Sequence, residues 1–530
     1  MAAPSFFLLA VVTCVGLAGA ARIQRVVPES SSRVDGRGRS RNNRNCSSWH
    51  FVVETNGAGH WATVPQRCVG YVKQYMTGKS YESDSAAVAS EALEFARSVN
   101  MTGDGKDAWV FDIDDTLVSC LPYYAEHGYG SEVFNETTFD EWVDEGVAPA
   151  LPETKKLYYE LHSLGFQIFL ITGRSESQRN LTASTLRRAG YSSWKKLVLR
   201  GTEDKGKLAI IYKSKKRLEI EKEGYRIHGS AGDQWSDLLG NATATRSFKL
   251  PNPMGEAREP AEDLIDRWPA MAAPALFLFV LITVGFNVCA DAGRIRQVVP
   301  QAVHPAEDGA DSGDGMFCPS WHFAVETNDA GFWATVPSRC VGYVKQYLTG
   351  GRYESDSAMV SFKAAEFARG VEIAGDGKDA WVFDIDETLL SNLPYYAANG
   401  FGSEAFNEAT FDEWADEGIA PALPESLKLY KVLKSLGFEL FLLTGRSEPQ
   451  RNVTVSNLLF AGYDSWNRLI LRAKEDQGKP AILYKSERRL EMEKEGYRIH
   501  GSSGDQWSDL LGFAIATRSF KLPNPMYYIP

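Results

Sequence analysis

The stretch Trp109-Val110-Phe111-Asp112-Ile113-Asp114-Asp115-Thr116 decides the fold of the region around it. An apolar run ends in two carboxylates two positions apart, and a hydroxyl follows at Thr116. This pattern predicts a buried strand whose carboxyl end presents Asp112 and Asp114. Ligands bind at that end of the strands in an open parallel sheet. Side chains at i and i+2 of a strand point the same way, so the two carboxylates can meet one ligand.

The chain contains two copies of one sequence. The stretch from Trp381 to Thr388 repeats the opening one 272 positions later, and the same offset relates Cys46 to Cys318. Residues 46–254 align with the second copy without a gap over 209 positions. Because each copy is long enough to bury a core of its own, we predict two tandem domains. We call residues 46–254 copy 1 and residues 318–530 copy 2.

Composition limits the possible partners. The 530 residues are 44% hydrophobic and 24% charged, which is typical of a globular protein. The formal net charge is −11, so nothing in the balance of charges indicates a nucleic-acid partner. Small molecules are the expected partners, and the chain could form a homo- or hetero-dimer.

Each copy is preceded by an apolar segment. Residues 1–20 have the pattern of a secretory signal peptide, and residues 271–292 repeat it in mid-chain, where it has no targeting use. One interpretation is a conceptual fusion of two adjacent genes, with residues 255–270 as the junction between them. The other is a real fusion in which residues 275–290 are buried or lie in a membrane. That run of 16 residues is short for a bilayer span, so no stable span is expected.

Polar segments and cysteines follow the two leaders. Residues 21–45 and 293–317 are predicted to be disordered spacers. Cysteines 22 positions apart in each copy are predicted to form the disulfides Cys46–Cys68 and Cys318–Cys340. Cys120 is left over and is expected to be a small filler. Sequons for glycosylation occur at Asn45, Asn100, Asn135, Asn180, Asn241 and Asn452. Together these features predict a glycoprotein of the secretory pathway, extracellular or vacuolar.

Strands and helices alternate along copy 1. The predicted elements are an extended segment at 49–54, a helix at 83–99, a strand at 107–113, an aromatic and acidic insertion with a helix or two at 117–150, a helix from Pro152 to Gly165, a strand at 166–171, a helix at 177–189, a strand at 197–199, a helix at 213–223, a strand at 225–229 and a helix from Gln234. This order predicts an α/β fold with a doubly wound parallel sheet and a small helical insertion after strand one, present twice.

Polar groups follow the strands. They are Asp112, Asp114 and Thr116 after the first, Thr172 after the second, a lysine near 207–213, and Asp233 with Asp237 after the fourth. One carboxylate can attack phosphorus while another protonates the leaving oxygen. Several carboxylates beside a phosphate suit Mg²⁺, and a hydroxyl and an ammonium can stabilise the transferring phosphoryl group. Each motif alone could be a turn or a helix cap, but their clustering favours a catalytic site.

As a set, these motifs resemble those of the haloacid dehalogenase superfamily of phosphatases. Phe-Asp-Ile-Asp-Asp-Thr-Leu, Leu-Pro-Tyr-Tyr, Ile-Thr-Gly-Arg, Gly-Tyr-Arg-Ile and Gly-Asp-Gln-Trp-Ser-Asp are similar to plant acid phosphatases of the class B type, a group that includes the vegetative storage proteins. The resemblance covers nearly all of both copies. It implies Mg²⁺-dependent hydrolysis of small phosphate monoesters.

The resemblance also implies roles for individual residues. Asp112 and Asp384 would be nucleophiles, and Asp114 and Asp386 would act as general acid and then base. The metal would be held by these four residues together with Asp233, Asp237, Asp505 and Asp509. Thr172 and Thr444 would hold the phosphoryl group with Lys213 and Lys485, for which Lys207 and Lys479 are alternatives.

Two other functions remain open at this stage. The first is a storage glycoprotein whose phosphatase activity is weak or vestigial. Storage members of the resembled family can lack the nucleophilic aspartate, whereas both copies here keep it. The second is phosphoryl transfer to an alcohol in place of water, which uses the same residues.

Overall fold

The computed structural model describes residues 36–58, 63–255, 315–331, 333 and 335–529. The leader-like segments at 1–20 and 271–292, and the junction from residue 256 onward, lie outside the described residues. Most of the two spacers lies outside them as well. Residues 42–530 belong to one compact unit, and the contacts below lie within its described part.

Copy 1 alternates helices and strands in the predicted order. Its elements are α1 (Gly36–Glu54), α2 (Val69–Met76), α3 (Lys79–Ser98), β1 (Asp107–Phe111), α4 (Leu121–Glu126), α5 (Glu136–Glu145), α6 (Pro152–Leu164), β2 (Gln167–Ser175), α7 (Arg179–Ala189), β3 (Lys196–Arg200), α8 (Ala209–Lys222), β4 (Arg226–Gly232), α9 (Trp235–Leu238) and β5 (Arg246–Lys249).

Copy 2 repeats these elements. They are α10 (Phe317–Glu326), α11 (Val341–Thr349), α12 (Arg352–Gly370), β6 (Asp379–Phe383), α13 (Leu393–Ala398), α14 (Glu408–Asp416), α15 (Pro424–Leu436), β7 (Glu439–Ser447), α16 (Arg451–Phe460), β8 (Arg468–Arg472), α17 (Ala481–Lys494), β9 (Arg498–Gly504), α18 (Trp507–Leu510) and β10 (Arg518–Lys521).

Each copy forms a five-stranded sheet in which neighbouring strands are parallel. The strand order is β3-β2-β1-β4-β5 in copy 1, and copy 2 has the same order with β8-β7-β6-β9-β10. The chain leaves β1 for β2 on one side and returns as β4 on the other, so a crevice opens at the carboxyl end of β1. The predicted doubly wound α/β fold is therefore confirmed.

A tryptophan at the centre of the sheet fixes the packing on one face. Trp109 is fully buried and stacks on Phe248 with ring centroids 5.4 Å apart. It lies opposite Gly229 of β4, where a side-chain carbon would come within 2.4 Å of the indole ring. Only a glycine leaves room for this ring between the sheet and the helices that cover it. The apolar core on this face stabilises the fold chiefly by removing such surfaces from water.

Local sequence signals account for the helix that follows the insertion. α6 begins at Pro152, whose ring suits the first turn, and ends at Leu164, followed by Gly165 in the left-handed conformation with φ 97°. Leu157, Tyr158 and Leu161 lie on its buried side and pack on the core that contains Phe111. The predicted bounds of this helix are confirmed.

The first described helix corrects a prediction. Residues 49–54 were predicted to be extended, yet they form the end of α1, which begins at Gly36 inside the predicted spacer. Trp49, Val52 and Val53 are buried, and their spacing of three and four places them on one helical face. The Cys46–Cys68 disulfide ties this helix to the start of α2, and Cys318–Cys340 does the same in copy 2.

The fifth strand of each sheet was not predicted. β5 and β10 have four residues each, and two of the four are Arg or Lys, so their hydrophobic pattern is weak. Both lie at the edge of their sheet. In the described ranges, no helix combines the length and the apolarity needed to cross a membrane.

Candidate active site

A tight turn after β1 sets the two aspartates of the opening motif. The Asp112 backbone N–H donates to the Ala231 carbonyl of β4, which continues the sheet by one residue. Asp115 then adopts a left-handed conformation with φ 52°, which aspartate tolerates better than most side chains. The N–H groups of Leu117 and Val118 both donate to the Ile113 carbonyl, so the turn is closed by backbone hydrogen bonds. Asp112 and Asp114 are thereby held at the end of the strand.

Three carboxylates converge at the carboxyl edge of each sheet. Oxygens of Asp112, Asp233 and Asp237 all lie within 4.8 Å of one another, and all three residues are buried. Burial and the neighbouring Asp237 raise the pKa of Asp233 to about 6. Carboxylate oxygens at this spacing are suitable ligands for a hard divalent cation. Copy 2 repeats the cluster with Asp384, Asp505 and Asp509.

The structure distinguishes between the two lysine alternatives. Lys213 Nζ lies 2.5 Å from Asp112 Oδ1 and 2.5 Å from Asp237 Oδ1, in a buried position. Lys207 instead pairs with Asp204 at 2.7 Å, outside this cluster. In copy 2, Lys485 contacts Asp384 and Asp509, whereas Lys479 pairs with Asp476. Lys213 and Lys485 are the lysines that the fold brings to the carboxylates.

Arg174 is a site residue to which the sequence analysis assigned no role. Its Nε and Nη2 donate to the Asp114 carboxylate at 3.0 and 2.6 Å, and its side chain is only 4% exposed. Burial raises the pKa of Asp114, but the charge of Arg174 outweighs it, so the net pKa lies below the ordinary value. Arg446 holds Asp386 in the same way. Arg174 is the last residue of the Ile-Thr-Gly-Arg motif, so the sequence already indicated it as a candidate site residue.

Two threonine hydroxyls also lie in the site. Thr172, the predicted phosphate ligand, is fully buried and lies 3.4 Å from Asp114. Thr116 accepts a hydrogen bond from the Asp233 N–H at 3.1 Å and lies 3.3 Å from the carboxylate of the same residue. The turn after β1 is therefore joined to the end of β4.

A second layer of residues from distant parts of copy 1 supports the carboxylates. Asn252 donates from its side chain to Asp233 at 2.7 Å and from its backbone N–H to Glu54 at 2.8 Å. Glu54 also accepts from Lys249 at 2.7 Å, and it lies 3.1 Å from His50 Nε2. Burial raises the pKa of Glu54, and the charges of Lys249 and His50 lower it by more. Helix α1 is in this way connected to the carboxylate cluster at the edge of the sheet.

Sequence comparison identifies the family. The profile of the HAD superfamily, subfamily IIIB (acid phosphatase), matches residues 30–257 and again residues 306–530. The chain belongs to this family of acid phosphatases. The predicted family, enzyme class and fold are thereby confirmed.

Curated relatives agree with this assignment. Acid phosphatase 1 of Solanum lycopersicum is 55% identical over 216 residues, which cover 41% of this chain and 85% of the relative. The stem 28 kDa glycoprotein of Glycine max is 47% identical over 214 residues, covering 40% and 84%. Vegetative storage protein 2 of Arabidopsis thaliana is 41% identical over 215 residues, covering 40% and 80%.

The two acid phosphatase sites differ at the carboxyl end of each copy. In copy 2 the Tyr527 ring stacks on Tyr396 with centroids 5.2 Å apart, and Gln506 donates to the Tyr527 carbonyl at 3.3 Å. Burial and the charge of Asp505 raise the pKa of Tyr527. The corresponding residue of copy 1 is Gly255. Copy 2 therefore has an additional aromatic wall.

The sites also differ next to Asp114 and its counterpart Asp386. Cys120 is buried, and its Sγ lies 3.5 Å from Asp114 Oδ1. Asn392 stands at that place in copy 2. Glu387 replaces Asp115 and accepts a hydrogen bond from Tyr353. The predicted filler role of Cys120 describes its burial but omits this contact with Asp114.

Proposed function

We propose that each copy is a Mg²⁺-dependent phosphatase that hydrolyses small phosphate monoesters through an aspartyl-phosphate intermediate. The observation that supports this most directly is the position of the Asp112 carboxylate. It is buried among two further carboxylates and lies 2.5 Å from the Lys213 ammonium. Such a group can attack an anionic phosphate only if positive charge neutralises both partners. When bound, Mg²⁺ would lie among Asp112, Asp233 and Asp237, with the Asp114 main-chain oxygen, and would supply part of that charge.

The chain's own residues would carry out two steps. In the first, an Asp112 oxygen forms a bond to phosphorus, the bond to the ester oxygen breaks, and Asp114 gives its proton to the leaving alcohol. Arg174 lowers the pKa of Asp114, and the negative charge of a bound phosphate group would raise it again, so that Asp114 takes up this proton together with the substrate. In the second, Asp114 takes a proton from water as that water attacks phosphorus, and the bond to Asp112 breaks to release phosphate. Thr172 and Lys213 bind the phosphoryl oxygens during both steps.

Arg174 has a positioning role in this proposal. Its two hydrogen bonds fix the orientation of the Asp114 carboxylate, and the Thr172 hydroxyl lies 3.4 Å from Oδ2 of the same group. A general acid works only within hydrogen-bond reach of the oxygen it protonates, so a fixed carboxylate is an advantage. Asp386 and Arg446 would act in the same way in copy 2.

Replacing the nucleophiles tests the proposal. Asp112→Asn and Asp384→Asn should each remove the contribution of one copy, and the double variant should lose hydrolysis of a chromogenic phosphate ester by about 10³-fold or more. Asp144→Asn, on an exposed aspartate of the insertion, is the matched control and should stay fully active. A double variant with the activity of the control would refute the mechanism. Acid-quenched wild type should also yield a phosphorylated peptide containing Asp112.

A storage role is the second candidate, because relatives 41% identical are named vegetative storage proteins. Both copies retain the aspartate, lysine and arginine of the site in mutual contact, which supports activity over a vestigial fold.

We further propose that the chain is a glycoprotein of the secretory pathway, extracellular or vacuolar. The support is the leader-like segment at residues 1–20 and the two disulfides. The domain limits at 46–254 and 318–530, with a junction at 255–270, stay a proposal. Association of whole chains into a homo- or hetero-dimer stays a prediction as well.

A further inference from the structure

A cavity lies where the two copies meet. The copies contact each other through reciprocal hydrogen bonds, since Ser48 donates to Asp356 at 2.5 Å and Ser320 donates to Asp84 at 2.5 Å. Next to these bonds, α1, α2 and α3 of copy 1 and α10, α11 and α12 of copy 2 enclose a space of about 430 Å³. None of the residues of the two carboxylate clusters belongs to its wall. A space of this size is typical of a site for a small molecule.

One part of the wall of this cavity is aromatic. Tyr71 and Tyr75 of α2 line it from copy 1, and Tyr343 and Tyr347 of α11 line it from copy 2. Hydrogen bonds hold these rings in place, because Tyr75 and Tyr347 each donate to a buried aspartate, at 2.6 and 2.8 Å. The hydroxyls of Tyr71 and Tyr343 lie 3.1 and 3.0 Å from a histidine nitrogen. Planar rings fixed in this way offer surfaces on which another aromatic ring can pack.

Another part of the wall is basic. An adjoining space of about 470 Å³ shares Arg44, Arg352 and Tyr71 with the first. The side chains that line this second space are all polar, and none of them is acidic: they belong to Asn43, Arg44, Ser47, Tyr71, Gln74, Tyr75, Ser80 and Arg352. Hydroxyls, amides and guanidinium groups without a carboxylate are the surroundings that an anion requires.

Both arginines of this wall keep N–H groups that can donate to a ligand. Arg352 donates to Asp356 from its Nε at 2.9 Å, and its Nη1 and Nη2 have no acceptor among the described residues. The Arg44 guanidinium also lacks an acceptor in the part of the chain that the structure describes. Its Nη1 lies 3.4 Å from the position that a Cβ would take at Gly351, next to Arg352 in the chain. Two neighbouring guanidinium groups suit the oxygens of a phosphate or a carboxylate, which their planar forks match in geometry.

The carboxylates that line the cavity leave the charge of Arg44 available. Glu54 and Glu326 are each paired with a buried lysine, at 2.7 and 2.6 Å. Asp356 has its arginine, and burial raises the pKa of Asp84, which favours the neutral form of that side chain. An anionic ligand would therefore meet a positive charge that no acidic side chain of this wall neutralises.

We propose that the cavity between the copies binds a small aromatic compound that carries an oxyanion, either a phosphate or a carboxylate. Its ring would pack between the tyrosines of α2 and α11, and its oxyanion would accept hydrogen bonds from Arg44 and Arg352. The site lies outside the carboxylate clusters, so binding there depends on no step of the proposed reaction.

The basic pair occurs on one side of the cavity only, which supplies suitable variants. At the positions equivalent to Arg44 and Arg352, the other copy has Met316 and Ser80. These two residues show which uncharged side chains the fold accepts there. The variant that carries both Arg44→Met and Arg352→Ser therefore removes the two guanidinium groups with residues that the chain already uses.

Isothermal titration calorimetry of the whole chain tests the class of ligand. The titrations use phenylphosphonate, benzoate and inorganic phosphate in EDTA, where the carboxylate clusters hold no cation and repel anions. Phenylphosphonate or benzoate should bind saturably, and the tighter of the two shows whether the site takes a phosphate or a carboxylate. Inorganic phosphate should bind about tenfold more weakly than the tighter of them, because it has no ring. Absence of saturable binding of both aromatic compounds, or equally tight binding of inorganic phosphate, would overturn the proposal.

The double arginine variant tests the location of the site. Arg44→Met with Arg352→Ser should raise the dissociation constant of the tighter compound about tenfold or more, because charge-assisted hydrogen bonds are lost. Arg369→Ser, at an exposed arginine in the last turn of the same helix as Arg352, is the matched control and should leave the affinity nearly unchanged. Circular dichroism and thermal unfolding show that both variants fold. Equal affinities of the two folded variants would place the ligand elsewhere and overturn the proposal.

Discussion

Two variants, Lys213→Met and Lys207→Met, test which lysine acts in the copy 1 site. Lys213 is buried between two carboxylates, at 2.5 Å from each, whereas Lys207 is about one-third exposed and pairs with Asp204. Methionine keeps much of the side-chain volume and removes the charge. Both variants are made in a chain that carries Asp384→Asn, so that only copy 1 hydrolyses substrate.

The magnitude follows from the burial of the carboxylates. Removing the Lys213 ammonium leaves Asp112 and Asp237, each buried, without their cation, and breaking a buried ion pair costs ~3–5 kcal/mol. For a domain the size of one copy, each kcal/mol lowers Tm by ~2–4 °C, so a drop of roughly 6–20 °C is expected in EDTA. Lys207→Met should change Tm by only a few degrees, because a partly exposed pair contributes ~0–1 kcal/mol and Asp204 keeps Lys216 at 3.2 Å.

The stability of Lys213→Met in the presence of Mg²⁺ gives a second test of the same assignment. A cation that binds the freed carboxylates only in the folded state should restore ~2.7 kcal/mol when its concentration is 100 times its dissociation constant. Calorimetry with EDTA and with Mg²⁺ measures this recovery, and hydrolysis of a chromogenic ester should stay ~10²–10³-fold lower in Lys213→Met. If Lys207→Met instead lost stability and activity while Lys213→Met kept both, the assignment of the site lysine would be wrong.

Arg174→Gln in the same chain should lower kcat about 10²-fold with a smaller effect on KM, because the Asp114 carboxylate loses its orientation; an unchanged kcat would refute that role. Tyr527→Gly, in a chain whose only active site is that of copy 2, should change the ratio of kcat/KM for aryl over alkyl phosphates by up to about tenfold, and an unchanged ratio would exclude the ring from the substrate pocket. Burial raises the pKa of Asp329 to about 8, with Arg246 and Lys249 as the facing charges. The folded state therefore holds the proton more tightly than the unfolded state, in which this carboxyl has its ordinary pKa of about 4, so this contribution to stability is complete below pH 4 and is lost as pH rises towards 8. Burial also raises the pKa of Glu91 to about 7, so both groups titrate in this range. The Tm of the whole chain should therefore be lower at pH 8 than at pH 5, and Asp329→Asn should reduce that difference; an unchanged difference would contradict the assignment.

Residues that follow strands were predictable, because hydrophobic runs followed by acids or hydroxyls mark strand ends without further information. Asp112 and Asp233 follow β1 and β4 as predicted, whereas Thr172 lies inside β2, which runs four residues beyond the predicted strand. The fold places all three at one edge of the sheet. The choice between Lys207 and Lys213 depended on where α8 begins. Since the helix starts at Ala209, Lys213 lies one turn inside it on the buried side, and Lys207 stays in the preceding loop.

Residues that act through tertiary contacts were not predictable in this way. Glu54 lies far from Asn252 in the sequence, and its helix begins in a segment whose apolar end, Trp-His-Phe-Val-Val, favours a strand by local propensity. The disulfide and the burial of one helical face override that propensity. The contact between Ser48 and Asp356 spans 308 positions and leaves no pattern in the sequence at all.

The contact between the copies and the predicted metal site share one short helix, α9. α9 has four residues, and a helix of that length has little stability of its own. It carries Asp237 of the carboxylate cluster and Trp235, whose ring centroid lies 4.6 Å from that of Trp507 in copy 2. Arg217 donates to the Asp237 carbonyl. The Trp235 indole in turn donates to the Glu54 carbonyl at 2.9 Å. One turn of helix therefore holds both a predicted metal ligand and a contact with copy 2, and Arg217 and the Glu54 carbonyl fix its two sides.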